Sequence, residues 1–130
     1  MEKQDGYAIH TVALIESSFA RDINIDFAKQ EIETKLSLEN FELENTPEGV
    51  IVVAVMATLV GRQAEKEVYK ITSKYLGSFK KNGQPQLPED TFKTINAPAI
   101  LFPFIREHIS STALKAGLGN LLLPPVNFAV

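Results

Sequence analysis

The chain has 130 residues, 45% hydrophobic and 22% charged, a composition that suits one folded domain and excludes a disordered tract. Its net charge of −3 would repel a phosphate backbone, which argues against nucleic acid as a partner. There is no cysteine, so disulfides, thiolate metal sites and cysteine catalysis are excluded, and a reducing compartment is compatible.

The first residues, Met1-Glu2-Lys3-Gln4-Asp5-Gly6, are polar, and no apolar stretch of signal-peptide type follows them. The longest apolar run, residues 50–60, is far short of the roughly 20 residues a membrane helix needs. A soluble, cytoplasmic protein with a single domain over residues 1–130 is expected.

Residues 7–27 carry β-formers with interruptions. Ile23, Ile25 and Phe27 alternate with Asn24 and Asp26, which predicts a strand with Asp22 and Asp26 on one face. Residues 31–44 form the cleanest strand pattern, with Ile32, Leu36 and Leu38 on one face and Glu31, Glu33, Lys35 and Glu39 on the other. The phase then flips to Phe41 and Leu43, which predicts a β-bulge or bend near Asn40. Asn45-Thr46-Pro47-Glu48-Gly49 has the composition of a hairpin turn.

Residues 50–60 are apolar on both faces and rich in valine. They read as a strand, with a short buried helix as the competing reading. Such a strand must be covered on both sides or sit inside an assembly. Val68, Tyr69, Ile71, Tyr75 and Phe79 mark the next strand, and the three consecutive runs imply an antiparallel meander. A polar loop over 80–88 leads to Pro88-Glu89-Asp90-Thr91, a helical first turn of a short helix reaching about Ile95. Asn96 then suits an N-cap and Pro98 the first turn of a long helix over 97–116. Leu101, Phe104, Ile105, His108, Ile109, Thr112 and Ala116 fall at three-to-four spacing and predict one buried stripe. Pro103 should bend this helix, and Gly117 and Gly119 should end it. Beyond Leu121 the Pro124-Pro125 pair predicts extended chain. Strands first and helix after make an α+β fold, with the helix across one sheet face.

No sequence pattern for chemistry stands out. His10 has no acid or nucleophile beside it, and His108 sits in an apolar helical stripe. There is no HExxH, phosphate loop or dinucleotide fingerprint. Gly117-Leu118-Gly119 is too short to cradle a phosphate. No metal, cofactor or catalytic residue is expected, and the chain is not expected to be an enzyme.

Two runs are more specific. Asn96-Ala97-Pro98-Ala99-Ile100-Leu101-Phe102-Pro103-Phe104, followed by Arg106-Glu107, resembles the helix start of the SecB family of export chaperones. Pro125-Val126-Asn127-Phe128 resembles that family's Pro-Val-Asn-Phe signature. Upstream, Arg21-Asp22-Ile23 and the Leu36/Leu38 pair are similar to family positions too. The resemblance implies a four-stranded antiparallel sheet with a long helix in the C-terminal half packed on one face. It implies a homodimer or homotetramer with helices sandwiched between sheets. It also implies a holdase that keeps unfolded polypeptide clients in apolar grooves and delivers exported ones to the SecA motor. Client contacts would then come from Leu36, Leu38, Val53, Val55, Phe102 and Leu122. Ile105, His108, Ile109 and Thr112 would form the oligomer interface, and Ser110, Ser111 and Thr112 would allow close helix approach.

Two departures from the family pattern stand out. Asp22 and Asp26 match acids that dock SecA in the family, but the third acidic position falls at or near Lys70, which should weaken docking of a basic partner. The chain also stops two residues after Asn127-Phe128, without the family's C-terminal helix and acidic tail. Such departures fit the related chaperones that protect one antitoxin of a toxin–antitoxin pair, the alternative to export.

Overall fold

The computed structural model describes residues 5–27, 32–119, 121, 123 and 126–128. Four long strands make one antiparallel sheet: β1 (Gly6–Arg21), β2 (Glu33–Glu42), β3 (Val50–Gln63) and β4 (Lys66–Asn82). Their spatial order is β1-β4-β3-β2. The meander β2-β3-β4 is the one expected from the turns. β1 joins it at the far side, pairing from Gly6 opposite Asn82 to Arg21 opposite Tyr69.

The turns follow local chemistry. Between β2 and β3, Asn45 and Gly49 take left-handed conformations (φ 61° and 78°), and Thr46 Oγ1 donates to Val50 O at 2.7 Å. Between β3 and β4, Ala64 and Glu65 both have positive φ, as a two-residue turn matching the twist of the strands requires. At Gly61 the sheet needs the absence of a side chain rather than a special φ. The ring of its neighbour Tyr69 lies where a Cβ would stand.

A short helix α1 (Glu89–Thr91) runs through a π-helical turn, Phe92–Asn96, into α2 (Ala97–Lys115). The helical backbone is continuous, so Asn96 has helical dihedrals and makes no side-chain cap. The expected break at Asn96 is absent because the wider π turn absorbs the change of phase. Helix α2 ends as expected. Gly117 has φ 73°, its N–H donates to Leu114 O, and the Leu118 N–H donates to Ala113 O, a Schellman arrangement. Arg21 reinforces this end from β1, its Nη1 donating to Ala116 O at 2.6 Å.

The core lies between α2 and the inner sheet face. Alternate residues Ile51 to Leu59 of β3 point inward: Val55, Ala57 and Leu59 pack with Leu101, Ile105, Ile109 and Ala113 of α2, and Ile51 and Val53 with the start of the helix. A second cluster at the helix start holds Phe79, Phe92 and Ala97. Tyr7 stacks on Phe92 at 4.1 Å, and its hydroxyl donates to Leu87 O at 2.8 Å. Burial, with Glu89 adding, raises the Tyr7 hydroxyl pKa above the usual tyrosine value. No described helix is long and apolar enough to cross a membrane.

Two local expectations fail. Residues 22–27 are not strand: the Asn24 N–H donates to Asp22 Oδ1, an Asx turn that puts Ile23 at 88% exposure while Ile25 packs on the core. A period of two is too short a signal to separate a strand end from such a loop. Nor is there a bulge near Asn40, because β2 pairs with β3 in unbroken register from Glu33 to Glu42. The phase flip is a change of apolar face. Leu36 and Leu38 point toward the helix side, and Phe41 lies on the outer side beneath the Lys74 ammonium, 4.3 Å from the ring centre. The register shifts are in β1, between Ile9 and Thr11 and between Leu14 and Glu16.

Candidate functional site: two apolar troughs beside the long helix

One helix cannot cover four strands. α2 packs chiefly on β4 and β3 and leaves a trough on each side of itself along the inner face.

The trough over β1 is lined by Leu14 and Phe19 from the strand and Phe104 from the helix, exposed at 41%, 38% and 44%. Tyr75 lies between them, its ring centre 6.0 Å from that of Phe104 and 6.3 Å from His108. Burial, with Glu107 adding, raises the Tyr75 hydroxyl pKa. Ser17 Oγ and His108 Nε2 are 2.8 Å apart across the same trough. Among the described residues no third group is hydrogen-bonded to these side chains to orient them as nucleophile and base, and the pair is a polar tie between β1 and α2.

On the β2 side, apolar residues of the strand and of the chain beyond α2 add to the core. Leu36, Leu38, Leu121, Val126 and Phe128 are half-buried against the main core cluster, to which buried Phe102 and Leu123 belong. The Phe128 ring meets Phe102 edge-on at 6.0 Å, and the Arg106 guanidinium lies 5.1 Å from the centre of the Phe102 ring. At the end of this trough Thr34 Oγ1 and Tyr69 Oη are hydrogen-bonded at 2.9 Å.

The structure corrects several of the expected site residues. Val53 and Val55 have no exposed surface and lie beneath α2, so they are core and not client contacts in this fold. Ile105 and Ile109 are likewise fully buried against the sheet, which removes them from any interface the folded chain presents. Helical periodicity predicted their stripe correctly but could not say which surface the stripe meets. His108 and Thr112 are half-buried, and Thr112 Oγ1 donates to His108 O at 2.8 Å. Leu36 and Leu38 are half-buried against the core cluster that contains Phe102, and Leu122 lies outside the described residues. Leu14 and Phe19 went unnoticed, because the two irregularities of β1 hide its alternation, and Phe104, expected in the buried stripe, is 44% exposed.

Asp22 and Asp26 share the loop after β1. Asp22 accepts from Lys66 Nζ at 2.8 Å. The Asp26 N–H donates to Gln63 Oε1 at 3.2 Å, and Gln63 Nε2 donates to Asp26 O at 2.6 Å. The Lys66 hydrogen bond, then the Asn24 N–H, hold the Asp22 carboxyl below the usual carboxylate range. A lowered native pKa adds stability above the unfolded value of about 3.9, and that stability is lost as pH falls through the lowered value. Lys66→Met is expected to move the Asp22 titration upward, followed by carboxyl-carbon NMR. An unmoved titration would mean that the ion pair does not form in solution. Lys70 is exposed on the outer face, between Ala20 and Val60 of the flanking strands. Among the described residues no three His, Asp or Glu side chains gather as metal ligands would.

The family model described as "Preprotein translocase subunit SecB" matches residues 8–130. The chain belongs to the SecB family. A protein-export protein SecB from Methylobacillus flagellatus is 31% identical over 98% of this chain and 82% of its own length. Another, from Nitrosomonas europaea, is 30% identical over 90% of this chain and 78% of its own. Among solved structures, a SecB-like chaperone of Mycobacterium tuberculosis in complex with an antitoxin peptide superposes with a TM-score of 0.79. It is 19% identical and covers 93% of this chain and 91% of that one. The four-stranded antiparallel sheet with its long helix on one face is thus the SecB fold, as the motif around Pro98 and Pro103 implied.

Proposed function

We propose that the protein is a SecB-type holdase: it keeps non-native polypeptides unaggregated for export, without covalent chemistry. The observation that carries this reading is the apolar lining left beside α2 once a single chain has folded. The lining over β1, formed by Leu14, Phe19 and Phe104, suits a second copy, since an apolar surface of this kind marks an interaction site. The trough over β2 suits clients, through Leu36, Leu38 and the rings about Phe102. β2 is an edge strand with unbroken register, so its outward backbone groups can also pair with an extended client. Burial of client side chains contributes about 25 cal/mol per Å². Several such troughs on one oligomer turn weak contacts into useful affinity.

Asp22 and Asp26 are the proposed contacts for SecA, with Lys70 weakening them. Lys70→Glu is expected to tighten SecA binding several-fold at low salt, with little change at high salt, measured by calorimetry. A second reading has one supporting observation, the fold neighbour whose bound peptide comes from an antitoxin. Under it, one specific partner would co-purify and generic unfolded chains would bind weakly. The deciding experiment is suppression of aggregation of a chemically unfolded protein, with particle mass by light scattering. A dimer or tetramer that suppresses aggregation at near-stoichiometric ratio is expected. A monomer without effect in excess would defeat the proposal.

A further inference from the structure

The loop that follows β1 is tightly fastened, yet it puts apolar side chains into water. Ile23 is the most exposed large hydrophobic side chain among the described residues, and Phe27 is exposed on the same loop. A lone exposed isoleucine needs no explanation, but this one is held out by its neighbour. Asp22 Oδ1 accepts from the Asn24 N–H at 2.9 Å, and Oδ2 accepts from Lys66 Nζ at 2.8 Å. Each carboxylate oxygen thus already has a donor, and the Asp22 side chain is only 24% exposed. We infer that Ile23 is the apolar anchor by which this loop docks its partner, and that Asp22 is a positioning residue that holds Ile23 out. The inference rests on the SecA reading of this loop and changes which of its side chains makes the contact.

Further bonds fix the loop to its surroundings. The Asp22 N–H donates to Val68 O at 2.7 Å. Gln63 grips the backbone of Asp26 from both sides, its Oε1 accepting from the N–H and its Nε2 donating to the carbonyl. From β1, Arg21 Nε donates to Asp22 O at 2.9 Å, and its guanidinium lies 5.6 Å from the centre of the Phe27 ring. Ile25, between the two acids, packs on the core. With the backbone held at both Asp22 and Asp26, little conformational freedom remains for a partner to remove from Ile23, which lowers the cost of binding. The partner that fits has an apolar hollow for the isoleucine, bordered by cations that face exposed Asp26. Charge then speeds the encounter, and the isoleucine supplies the part of the affinity that survives salt.

The test is calorimetry with SecA at low and at high salt. Ile23→Ser is expected to weaken binding about tenfold at both, as loss of one buried aliphatic contact does. Since Ile23 is exposed, this variant should melt with the wild type. Two substitutions at Asp22 separate positioning from contact. Asparagine keeps an oxygen for the Asn24 N–H, and with it the turn, whereas alanine keeps neither turn nor charge. At high salt Asp22→Asn is expected to bind within about twofold of the wild type, and Asp22→Ala about tenfold more weakly. Wild-type affinity in Ile23→Ser would overturn the anchor. Equal losses in Asp22→Asn and Asp22→Ala would overturn the positioning role and return the contact to the carboxylate. If the wild-type chain suppresses aggregation but binds no SecA, the docking reading itself falls, and the anchor with it.

Discussion

Gly61→Ala is expected to destabilise the protein by about 2–3 kcal/mol, through one added methyl group. The Tyr69 ring lies across the Gly61 backbone, in the space a Cβ would need. Gly61 and Tyr69 are cross-strand partners, so the aromatic ring substitutes for the missing side chain. The ring cannot move freely, because Tyr69 is buried and its hydroxyl is tied to Thr34. An alanine must therefore expel the ring from the core or distort the β3–β4 pairing next to the register shift at Gly61/Arg62. For a domain of this size, the loss corresponds to a fall in Tm of roughly 10 °C. Gly77 gives the comparison: its Cβ would come within 2.8 Å of Leu101 Cδ2 and of the Phe79 ring, a shallower overlap than a Cβ at Gly61 would make with the Tyr69 ring. Gly77→Ala should cost less. Equal melts for wild type and Gly61→Ala would show that Tyr69 does not occupy this position in solution.

The second large effect is that of Ile105→Ala, expected to cost about 3–4 kcal/mol, as removal of a fully buried aliphatic side chain does when the cavity cannot collapse. Ile105 has no exposed surface and lies among Leu101, Ile109 and the inward residues of β3 and β4. The position also separates core from interface. A core residue lowers stability by the same amount at every protein concentration, whereas an interface residue makes the loss concentration-dependent. Urea melts over a hundredfold range of concentration should therefore shift in parallel with the wild type. Divergence of the two series would return Ile105 to the oligomer interface.

The same residue shows how far the sequence could be read. Helix α2 was legible because its ends carry proline and glycine, whose backbone restrictions act locally. The three strands of the meander were legible because short turns join them. β1 was not, because its partner is β4 and not its neighbour in sequence, and no local pattern encodes a pairing such as Phe19 with Ile71. The tie between Ser17 and His108 and the Arg21 contact to the helix end span the chain in the same way. For the site, alternation brought out Leu36 and Leu38, whose face is bordered by polar neighbours. It failed at Val53 and Val55, where both sides of the strand are apolar. There, only the position of the helix decides which residues are sealed. The meeting of Phe128 with Phe102 could not be read at all, since no local pattern says where a residue beyond the helix end lies.

The pairing of Gly6 with Asn82 also sets the order of events at the ribosome. The first strand to be made is the last to find its neighbour in the sheet, because β4 must be synthesised before β1 can dock. At about 5–20 residues per second, the nascent chain carries Ile9, Leu14, Ile15 and Phe19 unpaired for roughly 4–15 s. For that interval the newborn subunit is itself an extended oily polypeptide, so finished copies already in the cell have their own unfinished kin among their first customers.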